Sequence, residues 1–173
     1  FPYTTLFRSG TPELCLSFLE KMKDSSYLPS LVITNPDKPI GRKQEITPTP
    51  VKIWAEKNNI EVLNPEKIKD EFSDILKEKE IDLSVVIAYG SILPEKVINT
   101  PKFGTINVHF SLLPRHRGAT PVEATILSGD DKAGVSIQQM VFELDAGDVL
   151  SEKSIEMESN ETKQSLFKKL SEI

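Results

Sequence analysis

A chain of 173 residues with 38% hydrophobic and 27% charged residues has enough apolar material for one globular domain with its own core. No apolar run approaches the roughly 20 residues that a bilayer span requires, no secretory pattern opens the sequence, and the single cysteine, Cys15, excludes an internal disulfide or a cysteine-based zinc cluster. The net charge of −5 argues against binding nucleic acid through bulk charge and leaves a local basic patch as the route to such a partner. The expected compartment is the cytoplasm, with no membrane contact and no metal.

The first nine residues, FPYTTLFRS, begin without Met and read like the conceptual translation of a sequencing-library adapter. Residues 1–9 are therefore expected to be non-native, with native sequence starting near Gly10 and lacking an apolar first strand. A helix follows over Pro12–Lys23, where Leu14, Phe18, Leu19 and Met22 recur at helical spacing. Leu28–Thr34 reads as a strand. After it comes a polar loop carrying Lys38, Arg42 and Lys43 between Pro39 and Pro48. Pro50–Asn58 is a helix with Val51, Trp54 and Ala55 on one side, and Ile60–Leu63 is a brief strand. The spacing of Ile68, Phe72, Ile75 and Leu76 predicts a helix over Pro65–Lys79.

Strands are expected at Asp82–Ala88 and Thr105–His109, then a helix over Thr120–Ser128 with Val122, Ile126 and Leu127 toward the core. Two further strands, Gly134–Phe142 and Asp148–Ile155, have no room between them for a crossover helix. They are expected to form an antiparallel hairpin with Glu143–Asp148 (ELDAGD) as its turn. Thr162–Leu170 is the last helix. Strand, helix, strand at this spacing predicts an α/β fold built on an open, mostly parallel twisted sheet with helices on both faces.

In such a sheet, ligands bind beyond the carboxyl ends of the strands. Asn107 and His109 sit at that end of TINVH and, two residues apart, share a face. An amide donor beside an imidazole suits acyl transfer, because the amide can hold a developing oxyanion and the ring can take a proton near neutral pH. The plainer reading has Asn107 capping a turn and His109 hydrogen-bonded at a strand end. Asp145 in the ELDAGD turn is the best third group: a carboxylate near His109 would orient the ring, if the turn lies at the same sheet edge. An Asp in a Gly-containing turn can equally well bond its own backbone.

The stretch NVHFSLLPRHRGATPVEATILSGD resembles the signature of the folate-dependent formyltransferases, Asn-x-His-x-Ser-Leu-Leu-Pro-x-x-Arg-Gly, and ELDAGD resembles their second element. Gly10-Thr11-Pro12-Glu13, the Asn35–Arg42 segment followed by Thr47–Lys52, and AYGSILP at Ala88–Pro94 are similar to the branch that formylates methionyl initiator tRNA. The resemblance runs through residues 10–173 in the family's order. It implies a Rossmann-like catalytic domain, truncated at both ends and without the tRNA-binding domain expected on its C-terminal side. It also implies transfer of a formyl group from 10-formyltetrahydrofolate to methionyl initiator tRNA through a tetrahedral intermediate, by a monomer. The catalytic residues it implies are Asn107, His109 and Asp145. Folate would lie along Tyr89, Gly90 and Ile92, along Ser111, Leu112, Leu113 and Pro114, and at the Val141–Asp145 turn. Arg42, with Lys38 and Lys43, would meet tRNA phosphates, which Arg115 and Arg117 could also reach.

The alternatives are another folate-dependent formyltransferase, of sugar-nucleotide or glycinamide ribonucleotide type, and an inactive folate-binding fragment. The GTPE loop is not the Gly/Ser-rich phosphate loop that a ribonucleotide substrate would want. Phe110 stands where the family usually has a small residue or proline, and it would either repack the strand end or narrow the site. His116 matches no fixed position of the family and is expected to be exposed.

Overall fold

A computed structural model of the protein describes residues 3–7, 12–25, 27–42, 44–89 and 92–173. Strands and helices alternate through it. The strands are β1 (Tyr3–Phe7), β2 (Leu31–Ile33), β3 (Lys38–Ile40), β4 (Glu45–Thr47), β5 (Glu61–Leu63), β6 (Leu83–Ile87), β7 (Thr105–His109), β8 (Lys132–Gln139) and β9 (Val149–Glu156). The helices are α1 (Pro12–Asp24), α2 (Pro50–Lys57), α3 (Phe72–Glu78), α4 (Glu95–Ile98), α5 (Pro121–Leu127) and α6 (Lys163–Glu172).

The main sheet has seven strands in the order β5-β2-β1-β6-β7-β8-β9, and β3 pairs with β4 in a separate hairpin. The five strands from β5 to β7 are mutually parallel, whereas β8 and β9 run antiparallel to their neighbours. Winding outward from β1 in both directions makes this the doubly wound, Rossmann-like architecture, with a hairpin appended.

The sequence reading is corrected at the start of the chain. The segment expected to lack a strand supplies the third of the seven, with β1 placing Thr4 opposite Leu31 of β2 and Tyr3 opposite Leu83 of β6. Tyr-Thr-Thr-Leu-Phe carries the aromatic and β-branched residues that strands favour, and parallel pairing draws on backbone groups that any such sequence offers. Polarity and Pro2 were poor guides here.

Side chains alternate across the sheet and build a core on each face. Val85, Ile87 and Val108 pack with Cys15 and Leu19 of α1, Trp54 and Ala55 of α2, and Leu166 and Leu170 of α6. Leu31, Ile33 and Val86 pack with Phe72 and Leu76 of α3 and with Val97 and Ile98 of α4. Burying one such leucine contributes about 1.5–3 kcal/mol, so the two layers fix the sheet firmly. Cys15 is one of these packed groups. Burial pushes its thiol up to about 12, which keeps it protonated and unreactive.

Helix α2 starts where Thr49 Oγ1 accepts the Lys52 N–H at 3.1 Å with Pro50 behind it, and α6 starts on a Thr162–Ser165 capping box. Helix α3 begins at Phe72 rather than Pro65. Residues before it turn through short-range bonds such as Phe72 N–H to Lys69 O, while Ile68 still reaches the core. Leu127, expected inside, is 87% exposed at the end of α5. No helix among the described residues is long and apolar enough to cross a membrane.

Candidate active site

Strand β7 carries two kinds of residue. Val108 faces one core, while Asn107 and His109 face the other way. Across the antiparallel β7–β8 ladder, Asn107 lies opposite Gln138 and His109 opposite Ser136, so these four polar side chains share one face of the sheet. Ser136 Oγ accepts from Leu113 N at 3.1 Å and donates to Ser111 O at 2.7 Å, which ties the loop after β7 back onto β8.

The route of the ELDAGD turn differs from expectation. Because β8 is antiparallel, it ends beside the amino end of β7, where Met140 N–H donates to Thr105 O at 2.7 Å. The turn therefore leaves from the sheet edge opposite to the one predicted, and then folds back over the face that carries Asn107. Gly147 permits the fold. A Cβ there would stand 1.7 Å from the carbonyl oxygen of Gln139, so only glycine lets the two backbones approach.

Folding back delivers Asp145 to the strand residues. Its Oδ2 accepts the Gly118 N–H at 2.7 Å, and its Oδ1 accepts Gln138 Nε2 at 2.8 Å and Asn107 Nδ2 at 3.5 Å. His109 Nδ1 lies 3.6 Å from the same Oδ1, with only 5% and 8% of the two side chains exposed. The three residues named from the sequence are thus brought together. Ala88, His116 and Asp145 have φ near +50, a conformation that costs a non-glycine residue about 1–2 kcal/mol and persists where surrounding contacts dictate it.

Gln138 belongs to this cluster and was missed. It is 2% exposed, its Nε2 serves Asp145, and its Oε1 is a buried acceptor without a partner among the described residues. The signal for it was the register of the hairpin, which puts residue 138 across from Asn107.

His116 is also corrected. Only 13% of its side chain is exposed, because Nε2 lies 2.6 Å from Oδ2 of Asp130. Arg115 binds the other oxygen of that carboxylate. The His116 hydrogen bond first, and then the Arg115 charge, hold the Asp130 carboxyl below the usual carboxylate range against the cost of burial.

A cleft of about 650 Å³ opens beside the cluster. Asn107, His109, Gln138 and Asp145 line it, with Tyr89, Ile92 and Leu93 on one wall and Met140–Gly147 on another. Phe110 and Phe167, 5.7 Å apart, close one end beside the ion pair of Glu123 and Lys163 at 2.5 Å. Phe110 is 7% exposed, so it both packs the core and bounds the cleft.

The rest of the expected folate wall is placed elsewhere. Ser111 is buried and donates to Arg115 O at 2.6 Å, Leu112 packs over Gly134, Leu113 is buried, and Pro114 is exposed; none of the four lines the cleft. The strand ends at His109, and the bonds of Ser111 O and Leu113 N with Ser136 Oγ draw the loop that follows toward β8. Gly90 and Lys43 lie outside the described residues. Lys38 and Arg42 are exposed on the β3–β4 hairpin, away from the cleft lining, and Asp37–Lys52 at 2.7 Å braces the base of that hairpin.

A doubly wound sheet with a carboxamide, an imidazole and a carboxylate under a folded-back loop is found together with a clear family match. The model for formyl transferases matches residues 4–173, and the chain belongs to that family. Within it, the chain is similar to the methionyl-tRNA formyltransferase of Sulfurihydrogenibium sp. (strain YO3AOP1), 49% identical over 165 residues that cover 94% of this chain and 53% of that protein. The methionyl-tRNA formyltransferase of Bacillus cereus (strain B4264) is 47% identical over 94% of this chain and 52% of its own length. The chain spans about half the length of these curated relatives.

Among solved structures, phosphoribosylglycinamide formyltransferase from Anaplasma phagocytophilum superposes with a TM-score of 0.80 at 24% identity, over 99% of this chain and 80% of that one. A formyltetrahydrofolate deformylase from Pseudomonas syringae pv. tomato gives 0.78 at 19%, over 99% and 56%. At these identities the likeness is one of fold.

Proposed function

We propose that this chain is the formyl-transferring part of a methionyl-tRNA formyltransferase, acting on 10-formyltetrahydrofolate and the amino group of methionyl initiator tRNA. The observation that carries the reading is the convergence of Asn107 and His109 on a single oxygen of Asp145 at the wall of the cleft. The similarity to methionyl-tRNA formyltransferases supports the choice of acceptor.

The cleft suits a flat heteroaromatic co-substrate. Its walls are largely apolar, from Tyr89, Ile92, Leu93, Met140 and Leu144, and polar groups are few and fixed. When bound, 10-formyltetrahydrofolate supplies a formyl group activated by its attachment to nitrogen. Asn107 Nδ2 then donates toward the negative charge that grows on the formyl oxygen. His109 passes protons, and Asp145, facing its Nδ1 at 3.6 Å, keeps the ring oriented. Gln138 and the Gly118 N–H hold the carboxylate in place.

Asn107→Ala removes one oxyanion donor, which costs roughly 3–4 kcal/mol of barrier. Turnover should therefore fall about 10²–10³-fold while affinity for a stable folate analogue stays within about threefold. Equal losses in both quantities would take Asn107 out of this role. Arg42→Ala, on the exposed hairpin, should weaken tRNA binding without touching folate and lower the slope of log K against log salt by about 1. An unchanged slope would mean that Arg42 meets no phosphate.

Calorimetry with a stable analogue of 10-formyltetrahydrofolate, combined with formyl transfer to charged initiator tRNA, tests the whole reading. Binding followed by transfer to methionyl-tRNA, and none to glycinamide ribonucleotide, is the expected result. Binding without transfer would leave a folate-binding module, and no binding would overturn the proposal.

A further inference from the structure

The cleft crosses the carboxyl end of the sheet and has a lobe on each side of it. Asn107, Val108 and His109, at the end of β7, line the middle. Tyr89, Leu93 and Met140 wall the first lobe and belong to the core layer of α3 and α4. Phe110 and Phe167 wall the second and belong to the opposite layer, that of α1, α2 and α6. Both lobes adjoin the reacting groups. Phe110 follows His109 directly, and Gly118, the donor to Asp145 Oδ2, opens the Gly118–Pro121 segment that borders the second lobe.

A flat formyl donor suits the first lobe, which leaves the second for the amine that attacks it. An α-amine sits one carbon away from its own side chain. The side chain of the aminoacyl group is therefore delivered to the second lobe together with the amine.

The wall there is aromatic, and its charges are paired. The Phe110 and Phe167 rings stand 5.7 Å apart at 58°. Phe110 is buried, whereas Phe167 is only partly buried and lines the cleft from α6. Lys163 Nζ lies 5.8 Å from the centre of the Phe167 ring and 2.5 Å from Glu123 Oε1. The cation and anion of this lobe thus neutralise each other, and the ammonium steadies the ring from one helical turn away. An unbranched thioether chain suits such a wall, because it bends to fill an irregular space and its sulfur makes favourable contact with aromatic rings. A carboxamide in the same place would leave water without finding a partner on the rings.

We propose that Phe167, backed by Phe110, forms the subsite for the amino-acid side chain of the aminoacyl acceptor and selects an unbranched apolar chain such as that of methionine. This rests on the proposed formyl transfer and adds to it the residues that read the acceptor's side chain.

The test holds the tRNA constant and changes only what it carries. Formyl transfer is measured on one initiator tRNA charged with methionine or with glutamine, whose side chain has a similar length and a polar end. In the parent chain kcat/KM should favour methionine by at least about tenfold. In Phe167→Ala the two values should come within about threefold of each other, while affinity for a stable folate analogue stays within about twofold. Phe167→Gln, which offers the glutamine side chain a partner, should lose the preference as well, and it decides the matter if the alanine variant does not fold. A parent without the preference would overturn the proposal. So would an unchanged ratio in the variants, including an equal loss on both tRNAs.

A chain that formylates neither tRNA counts against the proposed function, and the subsite is then read without turnover. Titrating L-methioninamide with the parent chain should displace its S-methyl proton signal through the ring current of Phe167, and Phe167→Ala should abolish the displacement. That pattern would uphold the subsite alone, and a signal that the parent does not move would overturn it too.

Discussion

Asp145→Ala is expected to lower formyl transfer by roughly 10²–10⁴-fold, the full range associated with a positioned acid–base group. The carboxylate is the acceptor for Gly118 N, Gln138 Nε2 and Asn107 Nδ2, and it faces His109 Nδ1. Alanine leaves those donors without their acceptor in a site where little water reaches them. Each fully buried donor so abandoned costs about 1–3 kcal/mol of stability. Urea melts should accordingly show a loss beside the kinetic one.

Asp145→Asn separates the two effects. It keeps the shape and one acceptor oxygen, so it should recover part of the stability. Its amide would turn a donor toward either the Gly118 N–H or the Gln138 amide, and transfer should stay low. Retention of kcat within about threefold in either variant would remove Asp145 from the reaction.

Gly147→Ala should be nearly as damaging for a different reason. Its Cβ would meet Gln139 O at 1.7 Å and Gln139 C at 2.9 Å, and both are backbone atoms that no rotamer change can move. The fold-back of residues 140–148 would have to open, at a cost of about 3 kcal/mol or more. Asp145 rides on that loop two residues before Gly147. A displacement of about one ångström at a reacting group is worth roughly 10²-fold in rate. Denaturant melts and kcat read the two losses together, and a variant that melts like its parent would show that the close approach is not needed.

The parts of the fold that were legible in the sequence are those written in periodicity. Strand β7 is the clearest: Ile106 and Val108 alternate with Asn107 and His109, and its bounds are those predicted. Short elements carry no period, so the β3–β4 hairpin and the four-residue α4 went unread. Strand β1 was hidden by its polarity, because its place depends on what its neighbours lack rather than on its own pattern. Helix α3 was overextended because Ile68 keeps helical spacing with Phe72 although the chain between them bends.

In the site, Asn107, His109 and Asp145 were legible as chemistry, while the path that joins them was not. Periodicity says which face a residue takes and nothing about the edge from which a hairpin turn departs. Gln138 and His116 share one difficulty. Each owes its setting to a residue far along the chain, Asp145 for the first and Asp130 for the second, and each sits among neighbours that suggest a solvent-facing position.

Strand β1 is the third of the seven strands and pairs with β2 and β6. The bonds described to Asp145 start from residues 107, 118 and 138, the farthest of them 38 positions away. The sheet thus divides into two unequal partners. One flank, β6 to β9, is laid down in chain order and assembles the pocket through contacts of modest reach. The other, β5, β2 and β1, is stitched by crossovers and braces the first from the side. Within the sheet they meet along one seam, β1 against β6, and the hydrogen bonds described to Asp145 all lie on the β6–β9 side of it.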